Sequence, residues 1–543
     1  MKKIQKILEM YFKPSMHRIS LFFLFFFATL GSVFGQFDRR QQEKLTRALQ
    51  IINAAYIEEL NSEKVVEDAL RGILRELDPH SSYLSGEDLR RANEPLEGSF
   101  DGIGVQFQIV NDTILVNGLV VGGPSEKVGV LAGDKIVRIN AEVSVGSQIN
   151  NQFVLDRLRG SRGSTVTIGV IRRNVRDIIY FTITRDRIPI YSIDASFMVS
   201  PGIGYIKLSR FSRTTMEEFF KAVEELKDQG MESMILDLNN NSGGFLNVAM
   251  DLGDQFLGQG QLIVYTEGRS VPSQRRSSSG LGVFQKGKLV VLVNEGSASA
   301  SEILAGAIQD WDRGLIVGRR TFGKGLVQQQ FNLPDGSQLR LTTSQYHTPT
   351  GRTIQRPYQE GNEKYREDLR NRFERGELVS RDSIYLPDSL RFYTKINNRL
   401  VFGGGGIIPD FFVPLDTARI SDFHARISRT GTLNTFSIEK TNEMREELKK
   451  RFPDVDKFNV GFEVSEKMIN QLVDYAKQRE IYNDDWKAGL DMEFLKLQLK
   501  GLIARNLFDF GAFVKVMVPT DNALQKAIEL IKDSTFEKMN ILY

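Results

Sequence analysis

The sequence predicts an α/β protein of several domains, with helical regions at both ends, a small β-rich domain and a larger domain in which strands and helices alternate. The hydrophobic period is helical near the start and the end of the chain, becomes two between residues 102 and 185, and gives way to short strands and helices from residue 202 to about 416. A chain of 543 residues has room for about three or four domains. Its 41% hydrophobic and 26% charged residues exclude a mainly disordered or polytopic membrane protein.

The composition also excludes several kinds of chemistry. The chain has no cysteine, which excludes disulfides, thiol nucleophiles and cysteine-ligated zinc. It has four histidines, too few to favour a histidine metal cluster or a Ser-His-Asp triad. The 71 basic residues exceed the 68 acidic ones by three, which gives no reason to expect a nucleic-acid partner. We expect neither a metal nor a cofactor.

Residues 1–35 have the pattern of an export signal. A basic stretch over residues 1–18 precedes an almost wholly apolar run from Ile19 to Val33, and Val33-Phe34-Gly35 offers a cleavage site before Gln36. The run is shorter than the roughly 20 residues that a membrane span needs, and an uncleaved N-terminal anchor is the alternative. Both versions predict a periplasmic or otherwise exported protein, which is membrane-associated if the signal is retained.

Residues 36–90 are predicted to form helices. Leu45, Leu49, Ile52 and Tyr56 recur at spacings of three and four residues, and Asp78-Pro79 is expected to end the second helix. We expect this helical segment to pack against the rest of the chain or to dimerise.

Residues 91–185 are predicted to form a β-rich domain that opens with a peptide-binding loop. In Gly102-Ile103-Gly104-Val105, two glycines around an apolar residue allow successive backbone N–H groups to point into one concavity, which binds an anion such as a terminal carboxylate. A lone Gly-x-Gly is more often only a turn. The order of this loop, Gly122-Gly123-Pro124 and residues 131–140 resembles a circularly permuted PDZ domain, as found in bacterial proteases. That resemblance implies recognition of a free C-terminus with apolar last residues.

Residues 186–425 alternate between strands and helices, and residues 430–543 are charge-rich and helical. The predicted elements of the first region are strands at Met234–Leu238, Leu289–Val293 and Leu315–Val317 and helices at Thr214–Gln229, Leu246–Leu257 and Ser301–Trp311. The polar stretches 269–287 and 357–395 are predicted to be surface loops or insertions. The second region is predicted to be a separate C-terminal helical domain with a scaffolding, regulatory or dimerising role.

Ser299 is a candidate nucleophile because it lies where a buried strand leads into a helix. Small residues at this turn let a substrate carbonyl approach the backbone, and the helix N-terminus offers free N–H groups and a positive dipole to a developing oxyanion. Serines before helices are more often N-caps, and Ser297 is a candidate for that role.

A serine nucleophile needs a base, and the three histidines beyond the first segment have contexts that do not favour this role. His80 follows a proline at a helix end, His347 ends a strand-like run, and His424 falls in a predicted linker. A base other than histidine is therefore expected.

Lys324 is the alternative base. Gly323 and Gly325 flank it, and its other neighbours are apolar, so burial is expected to disfavour the ammonium and to lower the lysine pKa toward the range in which it accepts a proton. Gln328, four residues later, can orient the amine by hydrogen bonding. By itself Gly-Lys-Gly is usually a surface turn or an anion site.

The two segments together, Ser-Ala-Ser-Ala-Ser-Glu at 297–302 and Thr-Phe-Gly-Lys-Gly at 321–325, resemble the carboxyl-terminal processing proteases, also called tail-specific proteases. The resemblance runs from about residue 65 to residue 412. It includes the PDZ block and three further motifs, which are Leu77–Ser81, Asp237–Gly244 and Gly406–Asp410. The resemblance implies an αβ serine protease core over residues 186–425.

The resemblance also implies roles for individual residues. In that family the serine that matches Ser299 is the nucleophile, the lysine that matches Lys324 is the general base, and the glutamine that matches Gln328 supports the lysine. The oxyanion hole would use the backbone N–H of Ala300 and one N–H from the pair Gly243/Gly244. The choice between these two glycines stays open.

This sequence departs from the family pattern at two places. Ser242 stands where the family often has proline, and Arg319-Arg320 stands where many members have Glu-Pro, which can change the charge near the site. Some family descriptions add an aspartate, here Asp310. It lies about 16 Å along the helix from Ser299, so we expect it to pack or cap rather than to relay a proton.

The expected function is that of an exported serine endopeptidase that recognises and cleaves proteins at or near their C-terminal tails. The expected partners are proteins with apolar C-terminal tails, and the helical ends offer surfaces for a homo-oligomer or a regulatory adaptor. Two alternatives stay open: a catalytically inactive PDZ adaptor that binds the C-termini of envelope proteins, and a structural or assembly protein of the envelope. Covalent labelling of Ser299 would separate the enzyme from the inactive adaptor, and the structural protein predicts normal cellular function in a strain that carries Lys324→Ala.

Overall fold

The computed structural model describes residues 38–110, 112–416, 419–482, 486–541 and 543. The predicted export signal at residues 1–35 lies outside these ranges. Among the helices inside them, none combines the length and the apolar character needed to cross a membrane.

Two helices begin the described chain, as predicted. Helix α1 spans Arg39–Ala55 and α2 spans Ser62–Arg75. The Asp38 side chain caps α1 by accepting from the backbone N–H of Arg40. Helix α2 ends at Arg75, before Asp78-Pro79, which instead begins a turn that leads into the protease region.

The β-rich domain is an antiparallel sheet entered and left through one pair of strands. Two elements precede the domain, the strand β1 (Ser82–Leu84) and the helix α3 (Gly86–Glu97). The domain contains β2 (Ser99–Gly102), β3 (Val105–Val110), β4 (Thr113–Leu119), α4 (Pro124–Lys127), β5 (Lys135–Ile139), β6 (Glu142–Val143), α5 (Asn151–Leu158), β7 (Thr165–Ile171), β8 (Ile179–Thr184) and β9 (Asp186–Pro189). Its strand order is β3-β4-β5-β7-β8, with β6 beside β5, and β2 pairs with β9. Strand β3, which follows the predicted peptide-binding loop, is therefore an edge strand, the position at which a peptide can add by strand pairing.

The larger αβ region contains two sheets. Its elements are β10 (Ile193–Ser200), β11 (Ile203–Leu208), α6 (Thr215–Asp228), β12 (Ser233–Asp237), α7 (Leu246–Asp254), β13 (Leu262–Glu267), β14 (Gln274–Ser277), β15 (Leu289–Val293), α8 (Ala300–Asp310), β16 (Leu315–Gly318), β17 (Leu326–Asn332), β18 (Gln338–His347), α9 (Asn362–Glu374), β19 (Arg391–Tyr393), β20 (Leu400–Phe402) and β21 (Phe411–Phe412). The main sheet has the order β10-β11-β12-β15-β16-β21 and is parallel from β11 onward. The second sheet has the order β1-β18-β13-β14, with β17 also paired to β18.

The main sheet is buried on both faces, which explains the continuous apolar run of β15. Leu289, Val291 and Val293 face a core shared with α7 and α8, whereas Val290 and Leu292 face a core shared with the last helices of the chain. The loops that carry the candidate residues leave the carboxyl ends of the central parallel strands, which is where open α/β sheets place their sites.

The C-terminal region is helical, as predicted. It contains α10 (Asp422–Arg429), α11 (Thr432–Arg451), α12 (Val455–Gly461), α13 (Glu466–Lys477), α14 (Met492–Leu507), α15 (Phe510–Met517), α16 (Asn522–Lys532) and α17 (Thr535–Lys538). Helices α10 to α15 surround their own apolar core, but α16 packs on the main sheet through Leu524, Ala527 and Leu530. The end of this region is thus part of the αβ core in its packing.

Two local predictions were wrong. His424 does not lie in a linker, because it is buried in α10, where its Ser421-capped first turn packs on the helical core. The stretch 357–395 is not only a surface loop, because it contains α9, whose residues Tyr365 and Arg372 are buried. The α9 segment lacks a strong apolar stripe, since the side chains that it buries are a tyrosine and an arginine.

Candidate active site

The predicted site residues come together at three loops that follow β12, β15 and β16. The loop after β15 carries Ser299, and its Ala298 N–H donates to the Asn241 carbonyl at 3.0 Å in the loop after β12. The loop after β16 carries Lys324, and its Phe322 N–H donates to the Ser297 carbonyl at 3.0 Å. These backbone bonds join all three loops, although the residues are far apart in the sequence.

Ser299 occupies a strained turn at the start of α8. Its φ is +56°, a left-handed conformation that residues other than glycine rarely adopt. The side chain is half-buried at the N-terminus of α8, and Ala300 is the first helical residue. A non-glycine residue in this conformation often marks a functional site, since the surrounding structure must offset the strain.

Ser297 stabilises this turn and is not the cap of the helix. Its hydroxyl donates to the Leu238 carbonyl at 2.8 Å and accepts from the Asn294 N–H at 2.9 Å, and the residue is fully buried. The hydroxyl therefore joins the ends of β12 and β15.

The Glu302 carboxylate joins the Ser299 turn to the lysine loop. It accepts from the backbone N–H groups of Ser299 at 2.8 Å, Gly323 at 2.7 Å and Lys324 at 2.9 Å, and from the Thr321 hydroxyl at 2.5 Å. Glu302 is completely buried, and this burial raises its pKa, while the four donors act in the opposite direction. A single buried side chain thus fixes the backbones of the two predicted catalytic residues relative to each other.

Tyr346 makes a second connection between the same two residues. Its hydroxyl lies between the carbonyl of Lys324 and the carbonyl of Ser299, the latter at 3.2 Å. Tyr346 is 1% exposed, and burial raises its pKa well above the ordinary value, so it stays a neutral donor.

Lys324 has the electrostatic surroundings that the sequence predicted. Burial lowers the pKa of its ammonium, and the nearby Arg340 guanidinium lowers it further, while Glu302 and Asp78 act in the opposite direction. Within the described residues, the Lys324 amine and the Ser299 hydroxyl form no hydrogen bond with each other. The structure therefore connects the two backbones through Glu302, while the two side chains are not hydrogen-bonded to each other.

Gln328 lies on β17 and contacts Thr342 rather than the lysine amine. Its amide donates to the Thr342 hydroxyl at 3.2 Å, and that hydroxyl donates to Asp78 at 3.0 Å. Asp78 also accepts from the backbone N–H groups of His80 and Ser81, both at 2.8 Å. Gln328 is thereby connected to the turn at Asp78–Ser81, beside Lys324.

The two glycines at 243 and 244 differ in what their backbone N–H groups do. The Gly243 N–H donates to the Asn241 side chain at 2.9 Å. Among the described residues, no acceptor is found for the N–H of Gly244 or of Ala300. A β-carbon on Gly243 would lie 2.9 Å from the Ser299 β-carbon and 3.1 Å from the Ala300 nitrogen, which places this glycine directly against the Ser299 turn.

The predicted peptide-binding loop has a defined backbone. Gly104 has a φ of +73°, and the Ile103 carbonyl accepts from both the N–H and the hydroxyl of Ser125, at 3.1 and 2.6 Å. Val105 begins the edge strand β3. Carboxylate capture by this loop stays a prediction, and the edge strand that follows it is a position at which a peptide can add by strand pairing.

The remaining candidates have structural partners. Asp310 is fully buried, forms an ion pair with Arg352 at 2.7 Å and accepts from Thr350, so it packs as expected. Arg319 is paired with Glu295, and Arg320 with Glu377. The two arginines that depart from the family pattern are therefore neutralised by neighbouring carboxylates.

Sequence reasoning missed Glu302, Tyr346 and Asp78 as members of the site. Glu302 was part of the recognised motif, and its position three residues after Ser299 has the spacing of a capping box, which was the available signal. Asp78 likewise lay within a recognised motif, Leu77–Ser81. Tyr346 has no comparable signal, because its role depends on the strand pairings of β18.

Comparisons with known proteins identify the family of the chain. A family model described as peptidase family S41 matches residues 202–361, one described as the activating protease CtpB N-terminal domain matches residues 32–88, and a family of unknown function matches residues 423–509. The carboxy-terminal-processing protease of Bartonella bacilliformis is 36% identical over 309 residues, which cover 56% of this chain and 70% of that protein.

Two solved structures are also similar. The photosystem II D1 C-terminal processing protease is 29% identical, with a TM-score of 0.33 over 57% of this chain and 89% of that one. The PDZ domain of a carboxy-terminal protease from Vibrio cholerae, solved in complex with a peptide, is 28% identical, with a TM-score of 0.15 over 17% of this chain and 97% of that one. The family match at residues 202–361 and the Bartonella relative show that the chain belongs to peptidase family S41, as a serine peptidase of the carboxy-terminal processing kind.

Proposed function

We propose that this protein is an exported serine endopeptidase that cleaves protein substrates at or near their C-terminal tails, with Ser299 as the nucleophile and Lys324 as the general base. The observation that carries the proposal is the Glu302 carboxylate, which accepts from the backbones of both residues. A base must lie within reach of the proton that it removes, and this shared partner keeps the two residues in one small region.

The proposed reaction begins when the neutral Lys324 amine accepts the proton of the Ser299 hydroxyl. The Ser299 oxygen attacks the scissile carbonyl, and a tetrahedral oxyanion forms. Lys324 then gives the proton to the leaving amine as the peptide bond breaks, and water hydrolyses the acyl-enzyme by the same route. The hydroxyl–amine contact that this structure lacks is expected to form when substrate binds, since catalytic hydrogen bonds are often long in free enzymes.

We propose that the oxyanion hole consists of the N–H groups of Ala300 and Gly244. The Gly243 N–H donates to Asn241, whereas the Gly244 N–H has no acceptor in the described residues. Gly243 serves a different need, because only a residue without a β-carbon can lie so close to Ser299.

We propose that the substrate tail binds the β-rich domain as in other PDZ domains. Its terminal carboxylate would lie at residues 102–105, and its backbone would pair with the free edge of β3. Gln328 acts through Thr342 and Asp78, which keep its strand beside Lys324. The helical ends remain candidate surfaces for self-association or for a regulatory adaptor.

The first test uses Ser299→Ala and Lys324→Ala with a purified protein substrate that has an apolar C-terminal tail. We expect the wild-type chain to cut it and to be labelled at Ser299 by a fluorophosphonate. Both variants should bind the tail, but their rate of cutting should fall by at least about 100-fold, the contribution typical of a general base. Lys364→Ala, on the exposed side of α9, is the control and should cut normally.

The pH dependence adds a second measurement. Because only the neutral amine accepts a proton, kcat/KM should rise as the pH passes upward through the lowered pKa of Lys324.

A wild-type chain that binds tails without cutting them would favour the inactive adaptor. A substrate with an amidated C-terminus tests carboxylate recognition, and fractionation of cells that express the full chain tests export.

A further inference from the structure

The backbone of residues 321–325 has a hydrogen-bond partner at every N–H and every carbonyl. On the N–H side the acceptors are the Ile407 carbonyl for Thr321, the Ser297 carbonyl for Phe322, Glu302 for Gly323 and Lys324, and the Gln355 side chain for Gly325. On the carbonyl side the donors are the Arg356 N–H for Gly323, the Tyr346 hydroxyl for Lys324 and the Tyr346 N–H for Gly325. The carbonyls of Thr321 and Phe322, immediately before Gly323 and Lys324, are the remaining two.

Arg372 donates to these two carbonyls. Its guanidinium lies 2.7 Å from the Thr321 oxygen and 3.2 Å from the Phe322 oxygen, and 3.5 Å from the oxygen of Gly405. The two carbonyls are buried under α9, where water cannot easily replace a lost donor. Glu302 accepts from the N–H groups of one part of this loop while Arg372 donates to the carbonyls of the adjacent part. A buried anion and a buried cation therefore orient the peptide units that lead into Lys324.

The position of Arg372 is specific and energetically costly. The residue is 1% exposed, and burial lowers its pKa to about 10. Asp368, one turn earlier on α9, lies 2.8 Å from its Nε and 2.8 Å from Arg356. Arg356 in turn stacks between the rings of Phe322 and Tyr365, with its guanidinium carbon 4.0 and 3.8 Å from the two ring centres.

Helix α9 spans Asn362–Glu374, just beyond the residues 202–361 that match the S41 family model. Its buried Arg372 is directed at the lysine loop. Glu377, after the helix, pairs with Arg320, which also donates to the Gly405 carbonyl at 2.6 Å. Helix α9 and the residues after it are thus connected both to the lysine loop and to the loop at Gly405.

We propose that Arg372 is a positioning residue for the reaction, acting from helix α9 through the carbonyls of Thr321 and Phe322 to fix the place of Lys324. The inference rests on the proposed role of Lys324 as the base.

The test compares Arg372→Met, which keeps the volume and removes every donor, with Arg370→Met. Arg370 lies on the same helix, is 65% exposed and pairs only with residues of α9, so it is the matched control. We expect Arg372→Met to lower kcat by about 100-fold with little change in KM, because a small displacement of a catalytic group costs about that much. The kcat of Arg370→Met should equal that of the wild type. The kcat of Arg372→Lys should lie between those of the wild type and Arg372→Met, since an ammonium does not reproduce the fork of a guanidinium.

The pH profile separates positioning from a general loss of structure. A looser loop lets water reach Lys324, so the rise of kcat/KM in Arg372→Met should move to higher pH, toward the ordinary lysine value of 10.5. The other charged or titratable groups around Lys324 are Glu302 on α8, Arg340 on β18 and Asp78 and His80 before β1, and the variants leave all of them in place. A variant that merely unfolds in part would lose activity without this shift.

If Arg372→Met does not fold, Asp368→Asn gives the same comparison in a milder form. This variant weakens the contact at the Arg372 Nε. We expect a smaller fall in kcat, and a smaller shift of the kcat/KM profile toward higher pH. The inference is overturned if the folded Arg372→Met variant, or Asp368→Asn in its place, has the wild-type kcat and pH profile while Ser299→Ala and Lys324→Ala are inactive. If instead Lys324→Ala cuts normally, the proposed function fails, whatever Arg372 does.

Discussion

Glu302 shows how one residue can organise this site without touching a substrate. Both of its oxygens accept from backbone N–H groups that have no other partner, so the carboxylate is satisfied by donors rather than by a cation. An unsatisfied buried carboxylate would be very costly, and four donors offset that cost. The same four contacts keep the Ser299 turn and the lysine loop in a single arrangement.

At the scale of the residue, the first prediction concerns the effect of a β-carbon at Gly243 on Ser299. A β-carbon there would lie 2.9 Å from the Ala298 carbonyl oxygen and 2.9 Å from the Ser299 β-carbon, and both belong to a backbone fixed on every side. We expect Gly243→Ala to displace Ser299 and to lower the rate of fluorophosphonate labelling by about 100-fold.

Gly260→Ala is the control for Gly243→Ala. Both glycines have a positive φ, +104° and +75°, so both variants carry similar backbone strain, but no atom lies within 4 Å of a β-carbon on Gly260. Gly260→Ala should therefore lose about 1 kcal/mol of stability with normal labelling. Equal labelling of the two variants would show that the close approach of Gly243 to Ser299 does not matter.

At the scale of the element, the strands of the αβ core were predictable and helix α9 was not. Strand β15 was predicted at Leu289–Val293, as observed, because a strand buried on both faces reads as a continuous apolar run. Helix α9 gives no such signal, since its buried residues are Tyr365 and Arg372, beside the partly buried Asp368. A face that buries polar side chains against backbone carbonyls has no hydrophobic period to detect.

In the candidate site, too, some residues were predictable from the sequence and others were not. The strand-to-helix turn indicated Ser299, and the glycines indicated Lys324, because both signals are local. Apart from the contact between Glu302 and Ser299, the contacts by which Glu302 and Tyr346 connect these two segments join positions 19 to 47 residues apart along the chain. Such contacts depend on strand order and register, which local patterns do not contain.

His80, in the turn before β1, is expected to make the stability of the protein depend on pH. His80 donates to or accepts from the Tyr365 hydroxyl at 2.9 Å, and burial, with the nearby Lys324 charge, lowers its pKa from 6.5 to about 4. Between pH 6.5 and about pH 4, His80 is therefore protonated in the unfolded chain but neutral in the folded chain. The free energy of unfolding should fall as the pH drops through this range. Because His80 is partly exposed, the loss is at most about 3 kcal/mol.

His80→Gln removes the titrating group and keeps a hydrogen-bonding side chain. Urea unfolding of the wild type and of this variant at several pH values between 4 and 7 measures the difference directly. We expect the gap in stability between the two proteins to narrow or reverse toward low pH. A gap that stays constant over this range would contradict the buried, neutral state of His80.

At the scale of the whole molecule, the two faces of the main sheet are covered by helices from different parts of the sequence. Helices α7 and α8 cover the face that carries the candidate site, and α16 and α17 cover the opposite face with residues that lie more than 200 positions later in the sequence than most of the strands. Lys288, just before β15, strengthens this cover by donating to the Ile531 carbonyl at 3.1 Å and pairing with Glu537 at 3.0 Å. The end of the chain is therefore expected to be necessary for a stable protease core.

Leu530 and Glu529 on α16 test this dependence as a matched pair. Leu530 is 1% exposed and packs on the sheet face formed by Tyr205, Ile235 and Val290, whereas Glu529 is a solvent-facing partner of Lys526. We expect Leu530→Ala to lower the free energy of unfolding by about 2–5 kcal/mol, because it removes buried methyl groups and leaves a cavity, and Glu529→Ala to change it by less than about 0.5 kcal/mol. The measurement is urea unfolding of the full chain, with Ser299 labelling as a second readout.

Since five large apolar residues of α16 and its C-terminal extension (Leu524, Leu530, Ile531, Phe536 and Ile541) together contribute about 10 kcal/mol, a chain that ends before Asp521 should fail to form a labelled core at all. Normal labelling of that shortened chain would show that the main sheet is stable with this face uncovered.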